Sequence, residues 1–518
     1  MTDTTSASQI LNSIIENASR FGERTALVQG DERVTWRDLD KRCNRVANYL
    51  TNLGIGHGDM VCILGPNSIA YVETFLGILK IGGCVVPLPT MVTPQSLQMM
   101  ITDSGAKALF LADEYRALVD PFVEELDGFV GGGRIAFNFS APGWQDYTAT
   151  LAATPDHAPK AQVIEQDRFN IIYSSGTTGV PKGITHNHHL RSFQVERLQA
   201  LGIDETAVTL VSTPLYSNTT LVILFPTLSA GGCCVLMAKF DVVGYLELVQ
   251  RERATHTMLV PVQYHRIMSH ADFGNFDLSS MQIKLSTSAP LRAALKRDIA
   301  ARFPGMMYEI YGLTESGGST ILSVTEFPDK LESVGTPGLS VVIKIIDEDG
   351  QECPQGTAGE IVGRAGAMMT GYHKRKDLTD AILWHDADGH VFYRSGDMGY
   401  FDEDGFLFLS DRKKDMIISG GLNIYADDLE RVLLQHGAVD DAAVIGIPSD
   451  EWGESPLGLI VLKSGMTDDV DNIRVWANEK LGKSQRLARV EARAELPRSP
   501  IGKILKRELR EPYWQNTE

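Results

Sequence analysis

The chain of 518 residues carries 66 Asp and Glu against 48 Lys and Arg, a formal net charge of −18. This acidic balance argues against a nucleic-acid-binding protein, which usually presents a basic surface. No run of about 18 apolar residues predicts a membrane span, and the first residues, MTDTTSASQI, lack the basic and apolar regions of a secretory signal. The length and a hydrophobic content of 43% are typical of a soluble globular protein of several domains.

The six cysteines show no C-x-x-C spacing, and most of them stand in apolar runs such as residues 61–64. This pattern predicts small core residues rather than zinc ligands. Free cysteines fit a reducing compartment, so a cytoplasmic protein is expected. The sequence leaves open whether the protein is a monomer or a homodimer.

Helix and strand signals alternate through residues 26–165. Thr35 followed by Asp38 predicts the start of a helix that runs to about Leu53. The next predicted elements are strands at 60–64, 84–87 and 108–111 and helices at 69–79 and 94–103. Strands that alternate with helices of about 10 to 15 residues imply a mainly parallel sheet covered on both faces.

The same alternation of strands and helices continues to about residue 325, after which short strands predominate. Predicted strands lie at 169–173, 183–185, 209–213, 234–237, 258–261 and 283–287, and predicted helices at 188–201, 220–229, 242–253 and 263–269. Beyond them, short strands at 341–347, 359–363 and 391–393 are separated by Gly-rich turns. These strands predict a small β-rich subdomain.

The last hundred residues predict a separate α+β unit. After a strand at 406–409, the charge run 411–415 reads as an exposed linker, and Asp427 with Glu430 predicts a capping box. Strands at 442–447 and 457–462 and helices at 473–481 and 504–509 follow. The predicted fold class is α/β: an N-terminal domain (1–410) of mainly parallel α/β sheets with the β-rich subdomain, a hinge (411–415) and a small mobile α+β C-terminal domain (416–518).

The segment YSSGTTGVPKG at 173–183 joins two predicted strands with four small hydroxyl residues, three glycines and one lysine. Glycine lets the backbone reach positive φ and approach a ligand closely, and successive backbone N–H groups can form an anion-binding nest. Lys182 adds a positive charge. The segment differs from the common G-x-x-x-x-G-K-[ST] nucleotide loop. Taken alone it fits a polyphosphate cradle or a flexible surface loop equally well.

Five motifs in order resemble the adenylate-forming superfamily, which includes acyl-CoA synthetases, aryl-CoA ligases, peptide-synthetase adenylation domains and luciferases. YSSGTTGVPKG is similar to its phosphate loop, YGLTE at 311–315 to Y-G-x-T-E, and YRSGD at 393–397 to [YF]-x-[ST]-G-D. DRKKD at 411–415 resembles the G-R-x-[DK] hinge, with Asp411 in place of Gly, and PRSPIGK at 497–503 resembles P-R-x-x-x-G-K. The resemblance covers about residues 25–510 and is strongest to AMP-forming carboxylate–CoA ligases.

The resemblance implies that ATP activates an organic acid to an acyl-adenylate and pyrophosphate, and that the acyl group then passes to the CoA thiol. Two anions must approach each other in the first step, so catalysis depends on positioning and charge neutralisation. By resemblance, Lys503 bridges carboxylate and phosphate oxygens and Lys182 assists at the leaving phosphates. Thr314 would contact the α-phosphate and Glu315 would hold Mg²⁺, which prefers one or two carboxylates with phosphate oxygens.

The resemblance also implies which residues bind ATP or AMP: Ser174, Ser175, Gly176, Thr177, Thr178, Gly179, Lys182, Ser288, Ala289, Pro290, Glu309, Tyr311, Gly312, Thr314, Asp397, Arg412 and Lys503. Tyr311 would line the adenine, and Asp397 would accept hydrogen bonds from the ribose. Lys414 corresponds to the hinge about which the C-terminal domain swings between two half-reactions. Gly420, Gly421 and Leu422 would line the path of the CoA pantetheine.

The acid pocket is expected to draw on Tyr216, Ser217, Asn218, Tyr264, His265 and Gly312. Its polar members favour an aromatic or phenylpropanoid acid, and a medium- or long-chain fatty acid is the alternative. Amino-acid-activating relatives place an Asp near Ser217 or Asn218, where this chain has none. An inactive nucleotide-binding homologue is a further alternative, which the intact Lys503 and Glu315 disfavour.

Overall fold

The computed structural model describes residues 6–174, 181–289, 291–412, 415, 417–419, 422–424, 426–449, 452–481, 486–499 and 502–514. They fall into two compact units. The first comprises Met1–Leu331, Gly338–Val341 and Arg364–Leu383, and the second comprises Glu332–Pro337, Val342–Gly363 and Trp384–Glu518. Within these ranges, no helix combines the length and the apolar character that a bilayer crossing requires.

The first unit contains two mainly parallel sheets and the helices that cover them. Its strands are β1 (Thr25–Gln29), β2 (Glu32–Thr35), β3 (Met60–Leu64), β4 (Cys84–Pro87), β5 (Ala108–Leu111), β6 (Arg134–Ala136), β7 (Gln145–Asp146), β8 (Arg168–Ser174), β9 (Lys182–Asn187), β10 (Val208–Val211), β11 (Cys233–Leu236), β12 (His256–Leu259), β13 (Ile283–Ser286), β14 (Met306–Gly312), β15 (Ser319–Ser323) and β19 (Gly371–Tyr372). Its helices are α1 (Gln9–Arg20), α2 (Trp36–Asn52), α3 (Ile69–Lys80), α4 (Pro94–Ser104), α5 (Arg116–Val119), α6 (Tyr147–Ala152), α7 (His188–Gln199), α8 (Asn218–Ala230), α9 (Val242–Glu252), α10 (Pro261–Met268), α11 (Ala293–Arg302) and α12 (Lys376–Ala381).

Within this unit, the strands of one sheet follow the order β2-β1-β11-β10-β12-β13-β14-β15, and those of the other follow the order β7-β6-β5-β3-β4-β8-β9-β19. Pairing is parallel throughout the middle of both sheets and turns antiparallel only where β1 meets β2, β14 meets β15, and β9 meets β8 and β19. One apolar cluster joins α1, α2, α3 and α8 to strands of both sheets. Helix α3 is buried along nearly its whole length, because both of its faces meet a sheet or another helix.

The second unit is richer in strands. Its strands are β16 (Thr336–Pro337), β17 (Val341–Ile346), β18 (Gly359–Ala365), β20 (Leu383–His385), β21 (Val391–Phe401), β22 (Leu407–Arg412), β23 (Ile417–Ser419), β24 (Leu422–Ile424), β25 (Val439–Ser449), β26 (Gly453–Leu462) and β27 (Arg489–Ala492), and its helices are α13 (Ala426–Leu434), α14 (Val470–Lys480) and α15 (Lys506–Trp514). One sheet has the order β17-β18-β21-β20 with β22 on β21, and the other β24-β23-β26-β25 with β27 on β26. The predicted α/β class, the small β-rich part and the α+β part are confirmed.

Most predicted elements of the first unit are confirmed to within two or three residues. Thr35 caps α2 by accepting a hydrogen bond from the Asp38 N–H at 3.1 Å, as its position indicated. The strand predicted at 258–261 ends earlier, because Pro261 begins α10, a position that suits its fixed φ. All six cysteines are free, and four of them are buried in the core.

Two predictions near the end of the chain are wrong. Asp411 and Arg412 belong to β22, where they pair with Met398 and Asp397, so the prediction of a loop is wrong for these two residues, and the hinge role of 411–415 stays a prediction. The capping box is also wrong, since α13 already begins at Ala426. The Glu430 carboxylate instead accepts a hydrogen bond from the Val444 N–H at 2.7 Å and pairs with Lys506. Long-range partners outweigh the local cap signal at this residue.

Candidate active site

The predicted phosphate loop lies between β8 and β9, whose first pair in the ladder is Ser174 with Lys182. Ser175, Gly176, Thr177, Thr178 and Gly179 lie outside the described residues. Gly183 follows directly, and a Cβ at this position would stand 2.8 Å from Ile171 Cγ2 and 3.1 Å from Tyr173 Cε1. The glycine therefore allows the two strands to pack closely where the loop begins and ends.

One tyrosine contacts two of the predicted site residues. The Lys182 ammonium lies 5.6 Å from the centre of the Tyr372 ring, within the range of a cation–π interaction. The Tyr372 hydroxyl donates a hydrogen bond of 2.8 Å to Glu315 Oε1. The Met369 N–H fixes the same loop by donating to the Glu315 carbonyl at 3.1 Å. Strand β19, which carries Tyr372, pairs with β9 and so brings Lys182 and Glu315 to one tyrosine.

The backbone of Thr314 forms a hydrogen bond with a buried histidine. The distance from His186 Nε2 to the Thr314 carbonyl oxygen is 2.7 Å. Burial and the nearby Arg191 lower the pKa of His186 well below its ordinary value, so the ring is neutral. With its Nδ1 accepting hydrogen bonds, the Nε2–H is the donor to Thr314.

The start of α8 brings three predicted residues next to the loop after β13. Ser217 is the N-cap residue and Asn218 the first helical residue. Thr219 Oγ1 and Ser288 Oγ form a hydrogen bond of 2.6 Å, and Ser288 has a φ of 79°. Tyr216 is buried just before the helix, and burial raises its pKa to about 12. Thus Thr219, which directly follows the acid-pocket candidates Tyr216, Ser217 and Asn218, bonds to the predicted adenine segment.

The adenine segment and the next strand carry further predicted nucleotide ligands. Ala289 is half-buried, and Pro290 lies outside the described residues. Tyr311 and Gly312 end β14, where Gly312 is exposed. Glu309 is buried on that strand and forms an ion pair of 2.5 Å with Lys296, while burial raises its pKa. A nucleotide contact of Glu309 stays a prediction.

Helix α10 holds the two remaining acid-pocket candidates in different surroundings. Tyr264 is fully buried, and its hydroxyl donates to the Leu285 carbonyl at 3.0 Å. Burial raises its pKa well above the ordinary value. His265 is on the exposed face of the same helix. Their place in an acid pocket stays a prediction.

In the second unit, Asp397 and Arg412 stand opposite each other in the β21–β22 ladder. Asp397 is 7% exposed, and its N–H donates to Ser395 Oγ at 3.0 Å. Ser395 Oγ donates in turn to the Ile361 carbonyl at 2.7 Å. This local turn fixes the backbone of Asp397, and the Arg412 side chain lies outside the described residues.

Lys503 stands in a tight turn that is closed by its own backbone. The Ser499 N–H donates to the Lys503 carbonyl at 2.7 Å, and the Lys503 N–H donates to Ser499 Oγ at 3.1 Å. Arg498 braces the turn by bonding to the Gly502 carbonyl at 2.6 Å and by pairing with Asp441. Helix α15 begins three residues later. The predicted position of Lys503 between a turn and a helix is confirmed.

Three predicted residues of the hinge and the CoA path, Lys414, Gly420 and Gly421, lie outside the described residues. Leu422 is the first residue of β24, paired with Ser419 of β23. Three residues of the site were not predicted from the sequence: Tyr372, His186 and Arg191. The only local signal for His186 and Arg191 was the unusual density of histidines at the end of β9 and the start of α7.

Two family models match the chain. One described as AMP-binding enzyme matches residues 14–373, and one described as AMP-binding enzyme C-terminal domain matches residues 428–503.

Relatives match nearly the whole chain. A feruloyl-CoA synthase of Amycolatopsis sp is 33% identical, with 96% of this chain and 98% of the relative covered. The fatty acid–[acyl-carrier-protein] ligase ScoC of Streptomyces coeruleorubidus is 30% identical, with 93% and 92% covered. The 4-coumarate–CoA ligase 5 of Oryza sativa subsp. japonica is 30% identical, with 96% and 93% covered.

Solved structures agree with the fold. The anthranilate CoA ligase AuaEII in complex with anthranoyl-AMP has a TM-score of 0.88 at 24% identity, covering 98% of both chains. The o-succinylbenzoate CoA synthetase MenE from Bacillus subtilis, in complex with its acyl-adenylate intermediate, has a TM-score of 0.84 at 28% identity, covering 96% of this chain and 97% of that one. The chain therefore belongs to the AMP-binding enzyme family.

Proposed function

We propose that the protein is an AMP-forming carboxylate–CoA ligase that acts on an aromatic acid. The observation that carries the proposal is the contact of Tyr372 with both Lys182 and Glu315 at the end of the phosphate loop. This arrangement places one cation and one carboxylate next to a segment suited to polyphosphate. The names of the feruloyl-CoA synthase and 4-coumarate–CoA ligase relatives support the aromatic acid.

In the first half-reaction, a carboxylate oxygen of the acid attacks the α-phosphorus of ATP. The bond from that phosphorus to the α–β bridging oxygen breaks, and pyrophosphate leaves with the bonding electrons. Negative charge grows on the phosphate oxygens, so a fixed ammonium group stabilises the transition state. Lys182 serves the departing phosphates, and Lys503 serves the oxygens of the forming bond.

The residues present fit one divalent cation. Glu315 is half-buried, and because Tyr372 donates to Oε1, the carboxylate is held in place while Oε2 can serve a metal. One carboxylate with phosphate oxygens is a donor set that Mg²⁺ prefers. Bound Mg²⁺ would neutralise phosphate charge, and Glu315 is the residue that would hold it.

In the second half-reaction, the sulfur of CoA attacks the acyl carbon, the bond to the AMP oxygen breaks, and AMP leaves while the thiol proton passes to solvent. We propose that residues 416–518 form the mobile domain that swings about Lys414 between the two steps, with 411–415 as hinge and 1–410 as the N-terminal domain. Lys503 would leave the site, and Gly420, Gly421 and Leu422 would line the thiol path. Asp397 and Arg412 would hold the ribose in both steps. The six free cysteines support a cytoplasmic location.

The proposal is tested by ATP–pyrophosphate exchange with the purified full chain and a panel of acids: hydroxycinnamic, benzoic, medium-chain, long-chain and amino acids. Thioester formation is then followed with CoA as the acceptor. We expect exchange with aromatic acids, dependent on Mg²⁺, and CoA consumption with the same acids.

Each other outcome contradicts part of the proposal. Exchange with fatty acids alone would favour a fatty acyl-CoA synthetase, and exchange without thioester formation would exclude CoA as the acceptor. Exchange with amino acids would favour an amino-acid adenylation enzyme. Nucleotide binding without exchange for any acid would favour an inactive homologue.

A further inference from the structure

A buried arginine connects the start of α8, where the acid pocket is predicted, with the two residues that bond to Thr314 and Ser316. Arg191, on α7, is 1% exposed, and each of its five N–H donors has an acceptor. Nε and Nη2 donate to Asn170 Oδ1 at 3.1 and 2.8 Å, and Nη2 also donates to His186 Nδ1 at 2.9 Å. Nη1 donates to Gln194 Oε1 and to Asn218 Oδ1, both at 2.8 Å. One guanidinium thus joins β8, β9, α7 and α8.

Because an arginine can only donate, it determines the direction of every hydrogen bond around it. His186 must accept at Nδ1, so its Nε2–H donates to the Thr314 carbonyl at 2.7 Å. Gln194 must accept at Oε1, so its Nε2 donates to Ser316 Oγ at 3.2 Å. We call His186 and Gln194 the two relays, and residues 314–316 the adenylation loop. Both ends of this loop are therefore tied to Arg191.

The same logic applies on the side of the acid pocket. Asn218 must turn Oδ1 toward Arg191, which leaves its Nδ2 group as a donor on the opposite side of the amide. No residue that the structure describes takes a hydrogen bond from this Nδ2. Asn218 is the first residue of α8, so its amide lies at the helix start, where the acid pocket is expected. A donor there matches an oxygen acceptor on the acid.

The charge of Arg191 is not neutralised by a carboxylate within the described ranges. Its acceptors are neutral amide oxygens and one imidazole nitrogen, and the ring of Phe169 lies 5.7 Å away. Burial lowers the pKa of the guanidinium to about 9, so it remains a cation at neutral pH. A buried cation without a counter-ion is costly to fold, and an approaching anion recovers part of that cost.

Lys284 offers a contrast in the same unit. This buried lysine donates to three backbone carbonyls, those of Phe303, Pro304 and Gly305, at 2.5 to 2.9 Å. Its acceptors belong to one chain segment that follows α11, so its role is structural. The acceptors of Arg191 belong to four elements, and two of these acceptors pass the contact on to the adenylation loop.

We propose that Arg191 is a positioning residue that couples the acid pocket to the adenylation loop. It presents the Nδ2 donors of Asn218 to an oxygen on the ring of an aromatic acid, and through the two relays it holds the loop that contacts the phosphates. The substrate class is therefore an aromatic acid that carries a hydroxyl or ether oxygen. This inference rests on the proposed function and narrows it.

The test compares Arg191→Met with Asn218→Leu and Gln194→Leu. Lys284→Met is the control for losing a buried basic side chain whose hydrogen bonds all go to one chain segment. For each variant, acid-dependent ATP–pyrophosphate exchange gives kcat and the KM values of ATP and of two acids that differ by one ring hydroxyl. Thermal unfolding of each variant reports stability separately. Arg191→Lys tests whether a positive charge alone suffices, since one ammonium cannot reach all four acceptor atoms.

We expect Asn218→Leu to reduce the preference for the hydroxylated acid about tenfold, with an unchanged KM for ATP. Gln194→Leu should lower kcat about threefold to tenfold and leave the preference intact. Arg191→Met should show both effects, Arg191→Lys should not restore them, and Lys284→Met should lower only the unfolding temperature.

An Arg191→Met enzyme that loses stability alone, as Lys284→Met does, would overturn the inference, as would the loss of only one of the two effects. If Arg191→Met does not fold, the double variant of Asn218 and Gln194 must combine both effects for the inference to stand. Absence of exchange in the unaltered protein would contradict the proposed function, whereas normal kinetics in the variants would contradict this inference alone.

Discussion

The two lysines that we expect at the chemistry are held by the backbone in different ways. Lys182 begins β9 and pairs with Ser174 within a sheet of eight strands, where the packing around Gly183 leaves no room for a Cβ. Lys503 stands in a short turn that closes on Ser499, within the unit that carries α15. A lysine in a sheet stays where the sheet holds it. Lys503 would move with the mobile domain that we propose.

From this difference we expect the two lysines to have different tasks. A constant charge at the phosphate loop suits the pyrophosphate, which must be bound throughout adenylation. A charge that can be withdrawn suits the bond-forming oxygens, because the thiol needs the same space in the second step. Substitutions at or near each lysine test whether the two charges act on different oxygens and in different steps.

Lys503→Ala should cause the largest loss. Removing a charge that stabilises the transition state typically costs about 10²- to 10³-fold in rate, so acid-dependent ATP–pyrophosphate exchange should fall by about 10³-fold. Lys480→Ala, an exposed lysine of α14, is the control and should keep the original rate. A loss of less than about threefold in Lys503→Ala would remove Lys503 from the chemistry.

Lys182→Ala should slow the same exchange by about 10²-fold, mainly through a raised KM for ATP, because its charge faces the phosphates. The Tyr372 ring remains in place and its hydroxyl still bonds to Glu315. The measurement is the KM of each substrate in turn. If the KM of the acid rises and that of ATP does not, Lys182 serves the acid pocket and the division is wrong.

Tyr372→Phe removes the hydroxyl that bonds to Glu315 and keeps the ring beside Lys182. A hydrogen bond to a charged group contributes about 1.5–3 kcal/mol, so the exchange rate should fall about tenfold or somewhat more. Because Glu315 loses an orienting partner, half-maximal activity should require more Mg²⁺. An unchanged Mg²⁺ dependence would contradict the proposed role of Glu315.

A buried histidine directly after β9 predicts how the free energy of unfolding depends on pH. His188, the first residue of α7, is buried, and burial lowers its pKa to about 3. In the unfolded chain this histidine has its ordinary pKa of about 6.5. As pH falls, the unfolded chain therefore binds the proton before the folded protein does. The contribution of His188 to stability is therefore complete above about pH 6.5 and declines below it, by about 1.4 kcal/mol per pH unit.

The check is the free energy of unfolding of the original protein and of His188→Gln at pH 7, 6 and 5. The difference in slope between the two isolates His188 from the buried carboxylates. Parallel pH profiles would show that His188 is accessible to protons in the folded state.

Ser499→Ala should have the smallest effect. It removes the oxygen that accepts the Lys503 N–H, a bond that contributes about 1 kcal/mol. Exchange should slow about threefold to fivefold, while transfer from a supplied acyl-adenylate to CoA should not change. Equal slowing of both half-reactions would indicate that the turn serves the whole unit rather than Lys503.

The sequence predicted the scaffold of the first unit well because its signals are local. Apolar runs of four or five residues became β3, β4 and β5, and Thr35 with Asp38 marked the start of α2. These patterns depend on neighbours in the chain, so a single sequence reveals them.

Other features depend on residues far apart in sequence and were not predicted. Tyr372 reaches Glu315 across 57 positions, and His186 reaches Thr314 across 128. Glu430 carried a local cap signal, yet its partners are Val444 and Lys506 in other elements. The motifs predict which residues take part in the chemistry, whereas the side chains that contact those residues became visible only in three dimensions.

The division between the two lysines is tested most directly by supplying a preformed acyl-adenylate and CoA to Lys503→Ala and Lys182→Ala and measuring thioester formation. Both variants should transfer the acyl group at close to the original rate, although both fail in ATP–pyrophosphate exchange. A fall in transfer by Lys503→Ala as large as its fall in exchange would contradict the account, because Lys503 would then act in both half-reactions.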